Sequence, residues 1–288
     1  SDDGVEGGIG IYSLETADSF NLTILHNNDG ESDLFSYRDS ANHGGVARFK
    51  TAMDAHHDFF TNLGHGVVKV YAGDSFLAGA EFSASRNSGA PGSRTFYDAL
   101  ALSRIGYDAF ALGNHEFDFG PDVLAEFIGD AQTYNPAIYL SANLNFTDEV
   151  NMLAQVTAGK VARSTVVEVP TEGGVKKVGI IGATTENLPF ISSPRDTIIS
   201  AVAGAVNTEI ASLLGQNVNA IVLVSHLQGL STDQELVSSL DAGIDVIVAG
   251  GGDELLVTTA ADSPRDVYGP AAPASVIDTG VYLGADGV

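Results

Sequence analysis

Tyr107-Asp108-Ala109-Phe110-Ala111-Leu112-Gly113-Asn114-His115-Glu116 is the stretch on which the reading of this chain turns. An apolar run breaks into a glycine turn that carries an amide, an imidazole and a carboxylate in succession. Such groups are costly to bury at a strand end unless an ion, a substrate or another polar group satisfies them. In isolation, Gly113 to Glu116 admits two readings: a metal-assisted site, or a polar turn capping the helix that begins near Pro121. The rest of the chain has to weigh one against the other.

Outward from this turn, short runs rich in Val and Ile recur: Leu22 to His26, Val67 to Ala72, Asp108 to Leu112, Ile138 to Leu140, Val178 to Ile181, Ala220 to Val224 and Asp245 to Val248. Each ends in Gly, Asn, Asp or Ser, the pattern of buried strands. Amphipathic stretches lie between several of them, at Gly45 to Asn62, Thr95 to Ile105, Pro121 to Asp130, Thr197 to Leu214 and Thr232 to Leu240. The alternation predicts an α/β protein. Ser164 to Pro170, Gly173-Gly174 and Val175 to Ile181 read as a hairpin, so the sheets are expected to be mixed. Residues 1–19 read as an N-terminal extension with an apolar patch at Ile9 to Leu14, and 20–288 as one domain. Ser83 to Ser93 and the segment after Thr259 are loop-like in composition, apart from a strand at Ala274 to Asp278.

Composition narrows the chemistry. The chain has 288 residues, 44% of them hydrophobic, and no apolar run approaches the length of a membrane span. Cysteine is absent, so disulfides and thiolate ligands are excluded and any metal is held by oxygen and imidazole. Thirteen Lys and Arg against 37 Asp and Glu give a formal net charge of -24, which opposes binding to polymeric nucleic acid. A phosphorylated small molecule remains compatible with such acidity if bound cations reverse the local field. Strong acidity with few lysines suits a salty medium, where screening suppresses self-repulsion, so a secreted or periplasmic location is expected.

The polar residues cluster where the strands end. Asp29 and Glu31 follow the first strand, Asp74 the second, Asn114 and His115 the third, His226 the sixth and Asp253 the seventh. Singly, each is an ordinary cap or turn residue. Together they form the inventory of a two-ion site, in which one carboxylate, most naturally Asp74, lies between the ions.

The motifs Leu25-His26-Asn27-Asn28-Asp29, Gly44-Gly45-Val46-Ala47-Arg48, Ala72-Gly73-Asp74-Ser75-Phe76, Gly113-Asn114-His115-Glu116-Phe117-Asp118, Ser141-Ala142-Asn143, Val224-Ser225-His226 and Gly243-Ile244-Asp245-Val246-Ile247 occur in that order. They resemble the calcineurin-like metallophosphoesterases, in the branch that holds bacterial 5′-nucleotidases and cyclic phosphodiesterases. The resemblance covers roughly Leu22 to Asp253. It implies a four-layer α/β sandwich, two mixed sheets flanked by helices, and hydrolysis of phosphomonoesters by attack of a metal-bound hydroxide. It further implies that Asp29 holds one ion, Asp74 bridges, Asn114 and His226 hold the other, and His115 is the catalytic imidazole, with Asn114 and His115 also meeting the substrate.

Two departures from the family pattern stand out. A histidine is usual two residues after the first-motif aspartate, where this chain has Glu31, and a GHxH turn is usual where it has Gly250-Gly251-Gly252-Asp253. In that frame the first ion meets Asp29, Glu31, Asp74 and Asp253, an all-oxygen shell suited to calcium, magnesium or manganese. The second, a manganese, zinc or iron ion, keeps Asp74, Asn114 and His226 but lacks a ligand at Gly251. A similar variant, with the first motif ending in Glu and the last reading GGxD, occurs in secreted marine-type bacterial phosphatases, which the chain also resembles in Ser225-His226-Leu227-Gln228. Full-length relatives carry a C-terminal nucleotide-binding domain for which these 288 residues leave no room, so phosphomonoester hydrolysis with a broad choice of leaving group is expected rather than nucleotide specificity, with 5′-nucleotidase or phosphodiesterase action as alternatives.

A catalytically silent extracellular module that binds divalent ions is the alternative in a different functional class. A dinucleotide enzyme ranks last, because Gly250 to Gly252 lacks the GxGxxG spacing. Arg38, Arg86 and Arg94 could neutralise a phosphate or simply pair with neighbouring carboxylates, and Asn143 could reach substrate or the groups around it, with loop capping as its ordinary role.

Overall fold

The computed structural model describes residues 10–15, 20–35, 44–252, 255–257 and 276–278. Its main sheet contains β1 (Gly10–Glu15), β2 (Asn21–Asn27), β3 (Gly66–Tyr71), β4 (Ala109–Ala111), β5 (Ile138–Leu140) and, past β6 (Leu144–Asn145), β7 (Val161–Ala162), in the order β1-β2-β3-β4-β5-β7. All neighbours are parallel except β1, which pairs antiparallel with β2. The apolar patch near the N-terminus is thus part of an edge strand. A second sheet contains β8 (Ser164–Thr171), β9 (Gly174–Thr184) and, past β10 (Ile198–Ile199), β11 (Ala220–His226) and β12 (Val246–Gly250), in the order β12-β11-β9-β8. Here β8 and β9 form the expected antiparallel hairpin, closed between Thr171 and Gly174, with Gly174 at φ 101°. Both sheets are therefore mixed.

Side-chain alternation explains why the strands read as continuous apolar runs. Leu22, Ile24, Val68 and Val70 point between the sheets and meet Val178, Ile180, Val222 and Val224. Their alternates turn outward under helices, so both faces of each central strand are buried. Leu25 and Tyr71 pack beneath α1 (Val46–Asn62), α3 (Tyr97–Ile105), α4 (Pro121–Ala131) and α5 (Val150–Thr157). Ile181, Ile221 and Leu223 pack beneath α7 (Val202–Leu214) and α8 (Leu230–Val237). Helix, sheet, sheet and helix make four layers.

Two sequence expectations give way to tertiary packing. Ser83 to Arg86 belong to α2 (Ala80–Arg86), where Phe82 stacks on Phe76 at 4.0 Å and anchors a helix that local composition does not announce. The helix expected from Thr197 starts at Val202, because Ile198 and Ile199 pair with β6 after the short α6 (Leu188–Ile191). Val276–Asp278 is a strand, β14, and pairs with β13 (Leu255–Val257). No helix among the described residues is long and apolar enough to cross a membrane.

Candidate metal centre

The carboxyl ends of β2, β3, β4, β11 and β12 converge, so the loops after strands of both sheets share one cleft. The loop after β2 is bound to the loop after β3 through Asp29 N–H to the Gly73 carbonyl at 3.0 Å and Glu31 N–H to the Asp74 carbonyl at 3.2 Å. Seven described residues other than glycine have positive φ, and five of them lie here: Asp29, Glu31, Ser32, Asp74 and Gln228. Left-handed backbone at such residues is costly, and its concentration marks loops shaped for side-chain placement.

Asp74 is the meeting point. Ligand atoms of Asp29, Asp74 and His226 lie within 4.8 Å of one another, and so do those of Glu31, Asp74 and His115. His226 Nε2 is 2.9 Å from Asp74 Oδ2 and 3.1 Å from Asn114 Oδ1. Its Nδ1 lies 2.7 Å from the Ala72 carbonyl, to which it donates, so Nε2 faces the cleft. His226 is fully buried, and burial alone would lower its pKa; Asp74, Asp29 and the Ala72 carbonyl outweigh burial and hold it up at about 9. Burial also raises the Asp29 carboxyl; the nearby His226 opposes the shift and Asp74 adds to it. Crowded acids with an inward-facing imidazole fit a divalent cation, which would relieve their repulsion and take the Nε2 lone pair.

The signature turn combines both readings of its residues. His115 opens a short 3-10 turn, with its N–H donated to Asp74 Oδ1 at 2.8 Å. Its ring Nδ1 meets Asp118 Oδ2 at 2.8 Å. That hydrogen bond raises the imidazole pKa to about 9 against the opposing effect of burial. Nε2 lies 3.9 Å from Glu31 Oε1, on the open side of the cleft. Glu116 does not touch the imidazole. Its buried carboxylate accepts N–H bonds from Gly113, Asp74 and Ser75 at 2.7, 2.9 and 2.6 Å, tying the third motif to the second. Burial, with Asp74 nearby, raises its pKa.

Of the residues singled out from sequence, Asp29, Glu31, Asp74, Asn114, His115 and His226 come together, with Glu31 grouped beside His115 rather than beside Asp29. Asp253 lies outside the described residues, as does Arg38. Arg86 lies over the Phe119 ring at 3.9 Å and Arg94 pairs with Glu126 at 2.9 Å, so each has a partner of its own. Asn143 caps as expected, taking the Thr184 N–H at 3.0 Å and donating to the Thr184 carbonyl at 2.8 Å. Two residues quoted in motifs but given no role gain one here. Asp118 orients His115, and the spacing of three residues in a tight turn was its available signal. Gln228 reaches Asn114 Oδ1, a contact that only the left-handed turn after β11 makes possible.

No protein-family model matches the chain. Individual proteins do. A 5′-nucleotidase of Diplobatis ommata is 32% identical over 268 residues, covering 90% of this chain and 42% of that protein. The trifunctional nucleotide phosphoesterase YfkN of Bacillus subtilis is 28% identical over 275 residues, covering 84% of this chain and 17% of its own length. Among solved structures, the 5′-nucleotidase precursor from Thermus thermophilus superposes with a TM-score of 0.66 at 32% identity, over 83% of this chain and 43% of that one. The fold is thus that of a metallophosphoesterase. The chain belongs to the calcineurin-like metallophosphoesterases, in the 5′-nucleotidase branch. It spans less than half the length of these relatives.

Proposed function

We propose that this chain is the catalytic part of a metal-dependent phosphoesterase that hydrolyses phosphomonoesters, nucleotides among them. The observation that carries the reading is the position of Asp74, common to two ligand groups and hydrogen-bonded to the backbone of His115. Asp29, Asp74 and Asp253 would hold one hard divalent ion, joined by Glu31 once its carboxylate turns from His115 towards Asp29, and Asp74, Asn114 and His226 would hold a second, with Asp29 close beside them. Bound divalent ions supply Lewis-acid polarisation of phosphoryl oxygen and make water a stronger nucleophile at neutral pH.

The protein's own residues do the rest. Asp118 holds His115 with one ring nitrogen engaged and the other open to the cleft. An imidazole held protonated up to about pH 9 can donate from Nε2 to a departing alkoxide. Glu31, near that nitrogen, favours the same protonated form. Asn114 and His115 are adjacent on the turn, and both would meet the phosphoryl group. The nucleotide assignment rests on the relatives, a 5′-nucleotidase and a trifunctional nucleotide phosphoesterase. A secreted or periplasmic location is part of the proposal, supported by the net charge of -24.

The test is hydrolysis of an aryl phosphate and of AMP by the EDTA-stripped protein with and without manganese, magnesium or calcium. Turnover should require added ion, and His115→Ala should lower it by about 10²- to 10⁴-fold while the protein stays folded. Ion binding with no turnover under any metal would identify a silent ion-binding module instead.

A further inference from the structure

Gln228 stands beside Asn114 and His226, at the end of the cleft where the family pattern has one more histidine. The family pattern places a histidine at position 251, and here that residue is glycine. Gly251 is not simply a gap. Its φ is 75°, and a Cβ built on it would lie 2.6 Å from His226 Nε2, so the backbone itself runs against the imidazole. A side chain at 251 cannot occupy that approach without displacing the ring. The missing donor must come from another direction.

The turn after β11 supplies it. Gln228 has φ 68°, which folds its side chain back towards the cleft two residues after His226. Its carboxamide nitrogen donates to Asn114 Oδ1 and lies 3.1 Å from His226 Nε2. Both of those atoms are proposed ligands of the second ion, and the carboxamide sits where they converge. The two ends of a carboxamide exchange places on rotation about its terminal torsion, one a donor and the other an oxygen with two lone pairs. Nitrogen inwards, Gln228 donates to Asn114 Oδ1 beside the His226 ring. Turned over, it directs an oxygen at the same point, alongside Asn114 Oδ1, His226 Nε2 and the Asp74 carboxylate.

We propose that Gln228 is a ligand of the second divalent ion through Oε1, taking the place of the histidine absent at Gly251. This inference rests on the two-ion reading above. The resulting donor set is three oxygens and one imidazole nitrogen, and it shifts the second site away from zinc and towards manganese or magnesium. The loss of a histidine and the presence of Gln228 are then one change in metal chemistry at a retained site.

Manganese titration calorimetry of the EDTA-stripped full chain, with metal counted by mass spectrometry, tests this without recourse to activity. Wild type should take two ions, and Gln228→Ala should weaken one of them by about 10- to 100-fold while leaving the other unchanged. Gln228→Glu, which keeps the shape and adds a charge, should bind that ion about tenfold more tightly. Gln228→His should raise the ratio of zinc to manganese affinity at the same site. Two ions bound by Gln228→Ala or by Gln228→Glu with wild-type affinities overturn the inference and leave the two-ion reading standing. A wild type that takes no second ion overturns both.

Discussion

The two sides of the cleft are built differently, although Asp74 belongs to both. On one side Glu31 stands beside His115 on a loop of left-handed residues at the cleft mouth, its side chain keeping 26% of its surface exposed, while Asp29 of the same loop turns inward towards His226. On the other, His226 is 0% and Asn114 4% exposed, and the imidazole is bonded to the backbone of the loop after β3 through Ala72. The open side relies on charge, in which direct exchange with solvent is easy. The buried side relies on an amide and an imidazole whose orientations are fixed by the packing of two sheets. An ion held by carboxylates on a loop is expected to exchange readily, whereas an ion at the buried side is tied to the integrity of the fold.

The largest effect that could break this comparison is at the shared residue. Asp74→Ala should reduce turnover below detection and remove both ions from the titration; retention of either ion would show that the two sides do not share it. Asp118→Asn should act on the reaction without removing an ion, lowering turnover roughly 10- to 100-fold, a part of the ~10²- to 10⁴-fold a general acid supplies. It should also return the His115 pKa from about 9 towards 6.5, read by NMR titration of the EDTA-stripped protein. Because the folded value is raised, the pair stabilises the fold fully below pH 6.5 and this contribution is lost as pH rises through about 9. The stability difference between wild type and Asp118→Asn should shrink over that window; a constant difference would count against the pairing.

Glu31→Gln should weaken only the ion on the open side, by about tenfold, and leave the buried ion's affinity unchanged. Equal weakening of both would place Glu31 between the ions. The smallest effect lies beneath the open loop, where burial pushes the Asp98 carboxyl up to about 7 and the neighbouring Ser32 hydroxyl offsets this only in part. A carboxyl with a raised folded value destabilises the fold increasingly from pH 3.8 to about 7. Asp98→Asn should therefore raise the Tm at pH 8 by about 2–4 °C, with the gain vanishing below pH 4. An unchanged Tm at pH 8 would mean that the carboxyl is better solvated than its burial implies.

Much of the framework was legible in residue patterns. Leu22 to His26 became Asn21–Asn27, Ile138 to Leu140 was matched at both ends, and the hairpin fell on Ser164–Thr171 and Gly174–Thr184. Buried strands advertise themselves because both faces demand apolar residues. The α2 helix was not legible, since its warrant is Phe82 stacked among Phe76, Phe96 and Phe119, which come from separate segments of the chain. Ile198 and Ile199 were absorbed into a helix because a two-residue strand has no period of its own to read.

By itself the sequence determined which chemical groups stand at the strand ends, and hence an acid, amide and imidazole inventory without thiolate. It also determined that the central strands are buried on both faces, because apolar side chains must leave water wherever the chain folds. Tertiary structure alone decided how those groups are shared: that Asp74 serves two sides, that Glu116 clamps backbone rather than imidazole, that Asp118 orients His115, and that Gln228 reaches Asn114 across from another sheet. The physical reason is that hydrogen bonds and ligand geometry act over about 3 Å, whereas Gln228 and Asn114, for example, are separated by 114 positions along the chain. Only the packing of the two sheets sets those distances.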